Sequence, residues 1–176
     1  MKRFILAGAL SAFALTGVAF AQTGSGTLGV SGTVSGSVNL TFITDASGLA
    51  VTGTGTSTAS LPFGAVQMYG GSVPTNVTKT VSGTTSFSLA TPFDVRVDLA
   101  NSASATFVLT ALLATADTTN VWLIGATDIS ASGTASNLTS TGAYATNVPY
   151  TLHLTVPATE AAGVISNSIG FTAVGN

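Results

Sequence analysis

The chain has 176 residues, 45% of them hydrophobic and only 6% charged, with a formal net charge of −2. So few cations exclude nucleic acid and anionic lipid as partners, because both need clustered Lys and Arg to neutralise phosphate. Apolar residues spread along the whole length exclude a disordered tail, and the absence of cysteine excludes disulfides and a thioether lipid anchor, which leaves burial and strand pairing as the sources of stability.

Residues 1–21 read as a secretory signal peptide. Lys2 and Arg3 form a positive n-region, residues 4–18 are apolar and uncharged, and Ala19-Phe20-Ala21 has the small-x-small form of a cleavage site. A spanning helix needs about 20 apolar residues, and this run is shorter and diluted by Gly, Ser and Thr. The expected product is one domain over 22–176, exported by a Sec-type route to the cell surface or medium, with Lys79 and Arg96 as its only cations against six carboxylates. Thr, Ser and Asn must then keep its surface wet.

Over 28–42 the even positions Leu28, Val30, Val34, Val38, Leu40 and Phe42, with Gly32 and Gly36 among them, alternate with Thr, Ser, Gly and Asn. Strict alternation is the period of a strand with one buried face. The span exceeds an ordinary strand of about five or six residues, so it is either a bent strand serving two sheets or a pairing arm followed by a first strand. Gly32 and Gly36 on its apolar side permit a bend or the close approach of another backbone.

Further strands are expected over 87–89, 93–99, 107–113, 121–124, 150–156 and 164–174, each enriched in β-branched or aromatic residues. Turn signals divide them: Gly70-Gly71, Ser82-Gly83, Ala90-Thr91-Pro92, Asn101-Ser102, Ser132-Gly133 and Ala162-Gly163. Residues 118–146 are richest in Thr, Ser, Gly and Asn, and their later part is expected to be a long loop or irregular edge. Helical periodicity is nearly absent. Short strands without intervening helices predict an all-β fold, an antiparallel β-sandwich of immunoglobulin-like plan over about 26–174. An outer-membrane barrel is the rival, but aromatic girdles and charged lumen residues are lacking.

Chemistry-bearing residues are few. His153 alternates with Leu152 and Leu154 and so faces outward if they face inward; no G-x-S-x-G nucleophile accompanies it, and it is read as an exposed strand histidine. Asp94, Arg96 and Asp98 share one strand face. Arg96 between the two carboxylates would keep both ionised, which does not suit a glycosidase pair, and no D-x-D-x-D-G loop supports calcium; a solvated ladder of charges is the expectation. Trp122, Tyr69, Tyr144 and Tyr150 are the candidates for a sugar-stacking platform, although Trp122, between Val121 and Leu123, is expected in the core. Asn39, Asn76 and Asn137 begin N-x-T triplets, which arise readily by chance in so Thr-rich a chain. No catalytic, cofactor-binding or metal-binding residue is assigned, and an enzyme is not expected from so few titratable groups.

Two segments resemble bacterial exported β-sandwiches of the spore-coat-U and pilin-like kind. Leu61-Pro-Phe-Gly-Ala-Val66 is similar to the "l-x-F-G-x-v" entry to an early strand of those domains. Residues 156–171, from Val-Pro-Ala through Ala-Gly to Ile-Gly-Phe, resemble the turn that leads into their terminal strand. The apolar alternation with glycine over 28–42 resembles the segment by which such subunits complete one another's sandwich. The resemblance implies an exported structural or adhesive subunit of a surface fibre, coat or matrix, assembled by strand addition. Its partners would be further copies or other surface proteins, with glycans as the alternative for a monomeric binding module.

Overall fold

The computed structural model describes residues 27–131 and 133–176; the signal peptide expected over 1–21 lies outside them. The chain divides into two units, 1–33 and 34–176. In the first, residues 27–33 form no strand and are exposed. The second holds every strand described and no helix: β1 Ser37–Ile43, β2 Thr78–Ser82, β3 Ser86–Ala100, β4 Phe107–Leu113, β5 Val121–Ile124, β6 Thr127–Asp128, β7 Ser136–Gly142, β8 Asn147–Pro157 and β9 Ile169–Gly175.

These strands make two antiparallel sheets. The larger runs β1-β3-β8-β5-β6, with β2 also paired to β3, and the smaller runs β7-β4-β9. Alternation decides which side chains meet between them. Phe93, Val95 and Val97 of β3 and Leu152, Leu154 and Val156 of β8 are buried against Phe107, Leu109, Ala111 and Leu113 of β4, joined by Trp122, Ile124 and Ile129. The result is sandwich-like, with one core between two faces. A smaller cluster of Leu49, Val77 and Leu89 packs with Leu61, Phe63 and Val66 beside it.

Two expectations change and two that were left open are resolved. Only residues 37–43 of the long N-terminal alternation form a strand, so that stretch is an arm followed by β1 rather than one bent strand. Ala90-Thr91-Pro92 is not a turn, because β3 runs unbroken through it and Pro92 stands opposite Thr151. The later part of 118–146, expected as a long loop or irregular edge, is the edge: it contains β7, which ends the small sheet and is held to β4 through Leu109↔Thr139 and Thr110↔Asn137 with two shifts of register. The last strand begins at Ile169, not residue 164. Just before it the Asn167 amide ends the ladder, donating to the Thr115 carbonyl at 2.7 Å and accepting from the Thr115 N–H at 3.3 Å. Strand β2 was not anticipated; its Thr-Lys-Thr-Val-Ser sequence has one apolar residue and no readable period.

Candidate functional site

Strand β3 has 15 residues and β4 only 7, so the small sheet covers only part of the large one. Beyond it the inner face continues through Phe87, Leu89, Leu154 and Val156, bounded by the irregular segments 57–68 and 158–168 instead of a strand. A cleft of about 1240 Å³ lies there, and among the described residues Glu160 is the one ionisable group that lines it. Towards β1 and β9 the two sheets approach through aromatics: Phe171 of β9 meets Phe42 at 5.1 Å and Phe93 at 6.0 Å between ring centroids, both edge to face. Such pairs add about 0.5–1.5 kcal/mol beyond the area they bury. Apolar side chains of the sheet form the floor of the cleft, and Ser, Thr, Asn and Gln of the two irregular segments stand along its rim.

A second set of apolar side chains is without cover among the described residues. Leu28 is 87%, Val30 88% and Val34 75% exposed, and residues 27–36 take part in no strand. Large aliphatic groups exposed at every second position are what a strand presents when its partner is missing.

The polar candidates do not converge. Arg96 turns to Asp98 alone, its Nε donating to both carboxylate oxygens at 3.0 Å with Nη2 at 2.9 Å from one of them. Asp94 lies instead near Asp45; burial, and then the Asp45 charge, push its carboxyl up. The expectation that Arg96 holds both strand carboxylates ionised is thus corrected. Asp45 is held low, chiefly by hydrogen bonds from the Ser47 hydroxyl and N–H. His153 stands between Ala90 and Leu123 in register, on the outer face, as expected.

Trp122 is a core residue at 6% exposure, so it supplies no stacking platform. Tyr144 packs on Phe107 and its hydroxyl donates to the Thr106 carbonyl at 3.0 Å, while Tyr150 lies beside Phe93. Only Tyr69, at 61%, is well exposed. Of the triplet asparagines, Asn76 donates its amide to the Gly48 carbonyl at 2.9 Å, and Asn39 and Asn137 are exposed on β1 and β7.

Sequence reasoning missed Asp117. Its carboxylate accepts from Trp122 Nε1 at 2.8 Å, Asn120 N–H at 2.9 Å, and Asn120 Nδ2 and Thr119 N–H at 3.0 Å each. Burial pushes its carboxyl up, but the hydrogen bonds from Asn120, Trp122 and Thr119 together outweigh that and leave it at about 2. An Asp followed by Thr-Thr-Asn is a turn signal, and the indole two residues further on was the clue to its load. No known protein family, no curated protein and no solved structure matches this chain.

Proposed function

We propose that the chain is an exported structural subunit of a cell-surface fibre, coat or extracellular matrix, an immunoglobulin-like sandwich delivered by its signal peptide and joined to its neighbours by strand addition through the segment around residues 28–42. The observation that carries this reading is the arm over 27–36, whose apolar side chains alternate, are exposed and pair with nothing described. Burying Leu28, Val30 and Val34 against a neighbour is worth about 1.5–3 kcal/mol each before ordering costs, and backbone pairing supplies direction. Scarcity of titratable groups supports a non-catalytic role. A glycan-stacking module draws less support, because its best aromatic, Trp122, is committed to the core.

The test is a comparison of the chain beginning at Gln22 with one beginning at Ser37, by light scattering and electron microscopy, alongside the mass of the exported product. Assembly by the longer form alone, with export leaving Gln22 first, is the expected result. A longer form that stays monomeric over a wide concentration range removes the reading.

A further inference from the structure

An arm that adds a strand needs an edge to receive it, and the edges of this body differ in how far they are closed. The free side of β1 is closed at its C-terminal end by the turn that follows it: Phe42 N–H donates to the Thr56 carbonyl at 2.9 Å and Gly55 N–H to the Phe42 carbonyl at 2.6 Å. Strand β2 carries Lys79, whose ammonium is tied to the carbonyls of Gln67 and Gly70 at 3.0 and 2.7 Å. Strand β6 is 2 residues long and carries Asp128. Strand β7 pairs with β4 through two shifts of register, which bend its line. Charge, shortness and irregularity are the ordinary defences of an edge.

Strand β9 has none of them. It has 7 residues, Ile-Gly-Phe-Thr-Ala-Val-Gly, without charge or proline, and its register with β4 is unbroken from Phe107↔Gly175 to Leu113↔Ile169. It ends its sheet, and among the described residues no backbone hydrogen bond reaches its outer side. Its inward residues Ile169 and Phe171, with Phe42 and Ile165, line the cleft. A strand laid along it would therefore point alternate side chains at an apolar wall and the others at water.

Resting on the strand-addition reading, we infer that the outer edge of β9 is the receiving site and that its occupant is residues 27–36 of a second copy of this chain. The arm matches on each count: it is longer than β9, uncharged, and divides into an apolar row of Leu28, Val30 and Val34 and a polar row of Thr27, Ser31, Thr33 and Ser35. Val34 belongs to the same body as β9 yet is 75% exposed and in no strand, so this body does not receive it. Each chain then has one donor and one receiving edge, made of different segments. Such a contact is heterologous, and repeated it gives an open, unbranched filament.

Two variants divide the contact. Thr172→Lys/Val174→Lys charges the edge while keeping the arm; both side chains lie on the outer row of β9, and Val174 is 57% exposed. The chain from Ser37 keeps the edge and lacks the arm. Each alone is expected to be monomeric, with the native Trp122 emission and thermal melt; mixed, they are expected to form a 1:1 dimer that does not grow, because the edge variant donates its arm to the intact edge of the chain from Ser37 and no further donor and receiver remain. Either variant added to the unaltered chain shortens its filaments at well below equal ratio. Val174→Lys alone serves if the double variant melts early. Filaments from the edge variant, or filaments from the chain lacking the arm, overturn the inference while strand addition elsewhere in the chain stands or falls separately: the first leaves the arm with another receiver, the second makes β9 pair with something other than the arm. An unaltered chain that never assembles overturns both readings.

Discussion

Asp117 and Thr91 show how a chain with so few ionic groups places its polar ones. Asp117 closes the turn before β5 by accepting from the indole and from the backbone and amide of Asn120, so the largest core side chain is oriented by one carboxylate. Asp117→Ala leaves these donors without a partner and should cost about 2–4 kcal/mol, with Asp117→Asn costing less; urea midpoints and a red shift of Trp122 emission measure it. The pH dependence has a definite sign. The folded carboxyl sits at about 2, below the unfolded value of about 3.9, so its contribution is complete above pH 4 and disappears as pH falls from there towards 2. Asp117→Asn should flatten that part of the acid titration. Asp94, whose carboxyl is pushed up by burial and by Asp45, works in the opposite sense, its favourable contribution being lost as pH rises. Thr91 is 0% exposed; its hydroxyl donates to the Asn76 carbonyl at 3.0 Å and accepts from Leu49 N–H at 2.7 Å. Thr91→Val fills the same space but strands both groups, and a loss of about 1–3 kcal/mol in chemical denaturation is expected.

Strand β3 explains which elements were legible and which were not. The alternation over 93–99 and 107–113 identified strands because each buries one face only. Pro92 read as a break because a proline removes a ladder hydrogen bond in a central strand. In the fold that missing donor falls where no rung is needed. The Pro92 carbonyl faces Gly48, where a Cβ would lie 1.9 Å from it, so its nitrogen side also turns away from β8. That side is the gap between β2, which pairs as far as Ala90, and β1, which pairs from Asp94. Nothing local to Ala90-Thr91-Pro92 encodes such a gap. Strand β7 was legible only as a loop or irregular edge for another reason: it owes its place to contacts with β4 and to Gly142, not to its own apolar period. A Cβ on Gly142 would stand 2.3 Å from the Phe107 ring, and Phe107, at 2% exposure, has no room to withdraw. Gly142→Ala should therefore cost about 1–3 kcal/mol, as overpacking does, read as a lower melting temperature with the all-β circular dichroism retained. The candidate site was half legible: the arm was visible as a pattern, whereas the edge of β9 and its cleft depend on which strands lie side by side.

At the scale of the whole molecule, the scarcity of charge that argues against nucleic acid also sets how copies would meet in the proposed contact. Neither residues 27–36 nor β9 contains an ionisable group, so screening has nothing to weaken between them, whereas contacts built on ion pairs lose strength once the Debye length falls from about 10 Å at 0.1 M salt to about 3 Å at 1 M. Arg96 and Asp98, the ion pair formed on the outer face, are 38% and 39% exposed and so add little that salt could remove. In the proposed contact the copies would be joined by backbone pairing and the burial of Leu28, Val30 and Val34, and burial is strengthened by salts excluded from apolar surface. The threshold concentration for assembly of the chain from Gln22 should accordingly change less than about twofold between 0.05 and 0.5 M sodium chloride, and should fall when sulfate replaces chloride at equal ionic strength. Sedimentation of the assembled fraction across a dilution series measures both. A threshold that rises steeply with sodium chloride would mean that carboxylates and the two cations of the body, rather than an uncharged strand, hold the copies together.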